Sequence, residues 1–255
     1  KTNMKLLINA DDFGFSKGVN YAIYEAFKKG TITSTSMMVN MPAFEDAIAL
    51  MKEHPGLFNV GLHLVTSVQY SVVKGLKTLT DENGHFHHNE EKIANANIDE
   101  VRQEYQAQMD RFLATGFKPT HIDWHWCHTP VQIQVAMELA VKYNLPLRAH
   151  SKEIEDMFTS KGVKFVPNHY NDFYNHNQAS PITTPEHLIE VLQKRLDEGC
   201  EAMSMMVHPA FVDQTLMKLS SYNTIRMIEL ETLLDDRVKA FMDSHDIELI
   251  SYKDI

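Results

Sequence analysis

Short apolar runs at residues 6–10, 35–39, 58–64, 119–123, 145–150, 163–166, 202–208 and 247–252 alternate with longer stretches of helical periodicity. Several runs are continuously apolar rather than alternating, the pattern of strands in a parallel sheet covered on both faces. Between them, Thr129-Pro130 and Thr184-Pro185 each pair an N-cap residue with proline at the first helical position. Leu188, Val191, Leu192 and Leu196 then form one apolar stripe. Val101, Tyr105, Met109 and Phe112 form another within residues 93–113, and a further helix is expected over 225–241. Strands alternating with helices predict an α/β fold, an irregular TIM-like (β/α) barrel forming a single domain over residues 1–255, with an open doubly wound sheet as the alternative. The connection 67–89 is unusually long and carries His85, His87 and His88. Its length predicts a lid insertion or substrate-binding loop, against the plainer reading of a solvated excursion.

Composition narrows the partners. The chain carries 24 Lys and Arg against 34 Asp and Glu, a net charge of −10, which disfavours broad binding to nucleic acid or an anionic membrane. Cys127 and Cys200 are too few for a dense disulfide framework, so a reducing, cytoplasmic setting is expected. The apolar run near the first residue is too short for a secretory signal core. No apolar stretch approaches the roughly 20 residues that span a bilayer.

Residues with chemical potential gather at the expected strand ends. The first strand closes on Asp11-Asp12, where an α/β enzyme normally places its site. Successive strand side chains point to opposite faces, so a bend at that end is needed to turn both carboxylates to one place. The alternative is that they cap the helix beginning near Ser16. His63 ends the third strand and is either a ligand or a structural histidine. Gly61 shares its face and leaves room for a ligand or for close backbone approach.

The densest cluster runs from His121 through Asp123, His125 and Cys127 to His128. On an extended strand His121, Asp123 and His125 share one face, and Asp123 is placed to accept a hydrogen bond from a metal-bound histidine or to orient a ligand directly. Cys127 is a zinc thiolate or a core residue, and His128 joins His125 at a cation only if strand turns to helix between them. The competing reading is a polar network shielded by Trp124 and Trp126. Arg148 orients Asp11 or a developing oxyanion, or else closes a salt bridge; His208 donates a proton or is a buried structural donor. A cation held by Asp12 and imidazoles would polarise a carbonyl and acidify water, with Asp11 as general base. The chain lacks Gly-x-Gly-x-x-Gly, Walker A, Gly-x-Ser-x-Gly and His-Glu-x-x-His sequences, which favours metal-assisted hydrolysis over nucleotide redox or serine-esterase chemistry.

The segment Leu7 to Asn20, with Thr31 to Ser36, Gly61 to Leu64, Thr120 to Pro130, Pro146 to Arg148 and Val207 to Ala210, resembles the YdjC-like carbohydrate deacetylases, among them chitooligosaccharide deacetylase. The resemblance covers most of the chain, and the opening segment is its most specific part. It implies an irregular TIM barrel that removes acetyl groups from N-acetylated sugars or chitooligosaccharides with a divalent cation. Carried across by motif, Asp12, His63 and His125 are implied as metal ligands, Asp11 as general base, His208 as general acid and Arg148 as a supporting residue. Mg2+ is the implied cation, with Zn2+ compatible, and a homodimer the implied assembly. The alternatives are hydrolysis of another small amide, ester or phosphorylated sugar, or non-catalytic carbohydrate binding. One segment departs: where many relatives read Asp-Ser-His-x-His-x-His, this chain reads Asp123-Trp124-His125-Trp126-Cys127-His128. That leaves His125 as the implied third ligand and His128 as a substitute or supporting residue.

Overall fold

A strand of ten residues, β1 (Met4–Phe13), is the axis on which the sheet is built. In this computed structural model residues 3–174, 177, 179 and 181–255 are described. The other strands are β2 (Ser34–Met37), β3 (Val60–Leu64), β4 (Ile122–Trp124), β5 (His169–Tyr170), β6 (Ala202–Val207) and β7 (Ile247–Leu249). They pair in parallel in the order β4-β3-β2-β1-β6-β5. One edge of β1 carries β6; the other is shared, with β7 against Met4–Leu6 and β2 farther along. The sheet curls, and helices α1 (Lys17–Lys29), α2 (Phe44–Glu53), α3 (Glu90–Ala94), α4 (Ile98–Leu113) and α5 (Pro130–Tyr143) follow its first half. After β4 come α6 (Lys152–Lys161), α7 (Pro185–Asp197), α8 (Gln214–Leu219), α9 (Arg226–Leu234) and α10 (Asp236–Ser244). The result is the irregular TIM-like α/β barrel expected. Among the described residues, no helix is long and apolar enough to cross a membrane.

Strand parity decides what lies inside. Leu6, Ile8 and Ala10 of β1 belong to the main apolar core, whereas Leu7 packs with Val166, Ile250 and Tyr252 in a smaller cluster. Residues of Leu7's parity therefore face the barrel interior: Asn9 and Asp11, then Ser34 and Ser36, Gly61 and His63, and His121 and Asp123 on the neighbouring strands. Cross-strand register sets Asn9 beside Ser34, Ser36 beside Gly61, and His63 beside Asp123. The interior above Leu7 is polar, and it is there that chemistry is assembled.

Two expected strands shrink. Residues 145–150 lie along β4 through backbone bonds from Ile122 to the Pro146 carbonyl and from Arg148 to the Ile122 carbonyl, but form only a single bridge. Residues 163–166 form no ladder; Lys164 only accepts from the Leu147 amide. Pro146 and Pro167 each withhold a backbone donor, which limits pairing in both runs. The expected 225–241 helix breaks at Asp235, whose side chain accepts from the Arg237 amide and caps α10. Likewise 93–113 is α4 preceded by the short α3, although its stripe of Val101, Tyr105, Met109 and Phe112 is fully buried as predicted. Both threonine-proline starts are helix starts.

Candidate active site

β1 ends by bending. Asp12 has φ 75°, in the left-handed region where aspartate is tolerated better than most residues, and the register against β2 shifts between Ala10 and Phe13. This turn lets consecutive carboxylates approach one centre. Helix capping falls to Ser16, whose side chain accepts from the Val19 amide, so the aspartates are free for other partners.

Asp12, His63 and His125 converge. His63 Nε2 is 3.1 Å from Asp12 Oδ1, and His125 Nδ1 is 2.9 Å from the same oxygen. Among the described residues these three form the one cluster of potential ligands whose donor atoms all lie within 4.8 Å of one another. His63 Nε2 is buried and, although it lies 3.1 Å from Asp12 Oδ1, has no hydrogen-bond partner. On the opposite side of the ring, Nδ1 meets Asp123 Oδ1 at 2.7 Å and Ser36 Oγ at 3.1 Å. A carboxylate on Nδ1 fixes the tautomer that leaves a lone pair on Nε2, as for metal-ligating histidines generally. The donor set and the orphaned nitrogen both fit a divalent cation.

Asp11 is held by different partners. Arg148 donates from Nη1 to Oδ2 at 2.9 Å and from Nη2 to Oδ1 at 2.6 Å, and Asn9 Nδ2 adds a bond of 2.7 Å to Oδ1. Arg148 also lies 3.0 Å from Asp123 Oδ2, so this one buried guanidinium ties β1 to β4. His208 follows β6, with its Nε2 3.6 Å from Asp11 Oδ2. Burial raises the cost of charge on Asp11, but Arg148 outweighs it and holds the carboxyl well below the ordinary aspartate range. Asp12 shows the same balance, with His125 and Arg226 outweighing burial. Burial lowers the His63 pKa, yet Asp123 and Asp12 reverse that and push it up to about 10. The surrounding field thus favours positive charge at this ring.

Arg226, the first residue of α9, was not legible as part of the site. Its Nη1 donates to Asp12 Oδ2 at 2.8 Å while Nε donates to the Tyr222 carbonyl at 2.6 Å. Tyr222 in turn donates its hydroxyl to Glu229, which accepts the His208 amide on its other oxygen. Asn9 and Ser36 are the other polar residues that sequence reasoning left without a role.

The rest of the 121–128 cluster divides. His121 is buried away from the ligand group: Nε2 meets Asp123 Oδ2 at 3.0 Å, and the ring stacks on Tyr252 at 3.8 Å. Gly61 makes room for that imidazole rather than for a ligand, since a Cβ there would lie 2.3 Å from it. Cys127 is buried, outside the ligand group, and burial pushes its thiol up to about 11. His128 stacks on His150 at 4.0 Å instead of reaching the three ligands.

Asp11, Asp12, His63, His125, Arg148 and His208 lie at the floor of a cavity of about 890 Å³. Its walls come from Ser67–Gln69 with His85, Phe86 and His88 on one side and from residues 217–223 on another. The 67–89 connection is packed down by buried Leu76, Leu79 and Phe86, and Glu104 of α4 accepts the Val72 and Val73 amides.

A curled parallel α/β barrel with a carboxylate–imidazole cluster at the C-terminal ends of its strands defines a hydrolase-type architecture with room for a small-molecule substrate. The family described as YdjC-like protein matches residues 5–244, and the chain belongs to it. Over 99% of this chain and 100% of the relative, it is 37% identical to a carbohydrate deacetylase of Clostridium beijerinckii. It is 34% identical, again over 99% of the chain and 100% of the relative, to carbohydrate deacetylase 1 of Listeria innocua. A crystal structure from Enterococcus faecalis V583, provisionally described as a cellobiose-phosphate cleavage protein, superposes with a TM-score of 0.90 at 30% identity, covering 99% of both chains.

Proposed function

We propose that this chain, a carbohydrate deacetylase by family, hydrolyses the acetamide of an N-acetylated sugar, with chitooligosaccharides the leading candidates, in a cation-assisted reaction at the cavity floor. The observation carrying the cation is the convergence of Asp12, His63 and His125 around a buried Nε2 that has no hydrogen bond. These three residues would hold it. When bound, a divalent cation polarises the acetamide carbonyl and makes water a better nucleophile. Two nitrogens and one oxygen suit Zn2+ better than Mg2+, which prefers an oxygen shell, so zinc is the first cation to test.

Asp11 acts as the base. The Arg148 fork keeps it ionised and oriented, so it accepts a proton from the attacking water. His208, beside the same carboxylate, delivers a proton to the departing amine. Arg148 serves both aspartates of the interior and acts by positioning Asp11, leaving the oxyanion to other groups. The segment 67–89 supplies a substrate-binding wall. A homodimer is a reading that rests on the resemblance, and a cytoplasmic location one that rests on the scarcity of cysteine.

The test is incubation of metal-stripped and zinc- or magnesium-reconstituted protein with defined N-acetylated mono- and oligosaccharides, with products identified by mass spectrometry. A generic ester and a phosphorylated disaccharide complete the panel, the latter because of the description attached to the Enterococcus structure. Metal-dependent loss of one acetyl group with the glycosidic bond intact is expected. Turnover of the ester or phosphosugar alone would overturn the deacetylase reading.

A further inference from the structure

Trp124 and Trp126 flank His125, and the fold uses them differently. Trp124 is 3% exposed and packs beside His128 and His150 at ring distances of 5.7 and 5.4 Å. Trp126 is 47% exposed yet lines the cavity directly after His125. A large apolar ring left in water at a cavity wall forgoes burial that the core would reward. Its position is nevertheless built. The His88 ring packs against the indole at 4.6 Å, His88 Nδ1 lies 3.2 Å from the Ser67 carbonyl, and the Ser67 hydroxyl donates to the Trp126 carbonyl. The 67–89 wall and the 125–126 corner therefore brace one another.

The cavity, about 890 Å³, is near the upper end of the roughly 300–1,000 Å³ usual for small-molecule sites and exceeds what one sugar ring needs. A pyranose presents a C–H face that stacks on indole, while its hydroxyls stay in water or reach polar neighbours. We propose that Trp126, braced by His88, is the stacking platform for a second sugar unit attached to the one being deacetylated, and that it sets a preference for oligosaccharides over the free monosaccharide. This inference rests on the sugar-deacetylase reading given above.

The experiment compares kcat/KM for N-acetylglucosamine and its β-1,4-linked trimer in wild type, Trp126→Ala, Trp126→Leu and Trp126→Phe, alongside melting temperatures. Wild type should favour the trimer. Trp126→Ala and Trp126→Leu should lower the trimer-to-monomer ratio about tenfold or more through KM, and Trp126→Phe should recover most of it. A ratio that stays constant across the variants, or a leucine that substitutes as well as phenylalanine, overturns the platform. Should one variant fail to fold, the leucine-to-phenylalanine contrast or the alanine series still decides. Should wild type release acetate from neither sugar, the deacetylase reading fails separately, and calorimetric titration of the trimer into wild type and Trp126→Phe or Trp126→Leu decides the platform: weaker binding in leucine alone supports it, equal binding refutes it.

Discussion

Asp123→Asn isolates what the carboxylate behind His63 contributes. Asp123 is fully buried and uses both oxygens: Oδ1 meets His63 Nδ1 at 2.7 Å, while Oδ2 meets Arg148 and His121 at 3.0 Å each. Arg148, His63 and His121 outweigh burial and keep it ionised. Asparagine is nearly the same shape but has one acceptor oxygen and an amide that donates. If the oxygen faces His63, the amide points its hydrogens at the Arg148 guanidinium. If the amide faces His63, Nδ1 must accept and the ring proton moves to Nε2, the atom that turns to Asp12. The charged Arg148 makes the second arrangement the less costly, so the ligand lone pair is lost. Loss of such a supporting partner weakens metal binding by about 10–100-fold, or about 1.4–2.7 kcal/mol. Calorimetric zinc titration should show that loss, and imidazole nitrogen NMR of the metal-free protein, taken above pH 10 where the wild-type His63 ring is neutral, should report the changed tautomer. Affinity within about threefold of wild type, with an unchanged tautomer, would refute the claim that Asp123 prepares His63 for a cation.

Three further outcomes test other parts of the reasoning. Asp11→Asn should lower turnover by roughly 10²–10⁴ while changing zinc affinity far less, as steady-state rates and calorimetry will show; near-normal turnover removes Asp11 from the base role. Gly61→Ala forces a Cβ to within 2.3 Å of the His121 ring, which is pinned by Asp123 and Tyr252, and should cost roughly 1–3 kcal/mol of stability in a denaturant melt. Burial, with Arg148, lowers the His169 pKa from 6.5 to about 3, so the folded ring stays neutral where the unfolded chain takes up a proton. Its contribution is therefore present above pH 6.5 and lost as pH falls towards 3, by at most about 2 kcal/mol between pH 6.5 and 5. His169→Asn should flatten the acid side of the stability profile, and parallel profiles would show that another group sets it.

The sequence exposed one part of the site far better than the rest, for a physical reason. Parity along a strand is a local property, so the shared face of His121, Asp123 and His125 and the strand-end position of Asp11 and Asp12 could be read before any coordinates. Helix starts were equally readable where a threonine met proline. Pairing is not local: residues 145–150 have the apolar content of a strand, yet they make one bridge, whereas the two-residue β5 has no run to announce it. Arg226 is the sharper case. An arginine opening a helix ordinarily reads as a solvated cation, but here it is 2% exposed and spends its guanidinium on Asp12, 214 residues earlier in the chain. A carboxylate on a bent strand end needs such a partner because its charge is buried and its backbone is held at positive φ, a conformation costing about 1–3 kcal/mol that only surrounding structure can maintain. By occupying Oδ2, Arg226 leaves Oδ1 directed at His63 and His125, which turns a pair of adjacent acids into two chemically distinct groups: Asp12 facing imidazoles, and Asp11 clamped by Arg148.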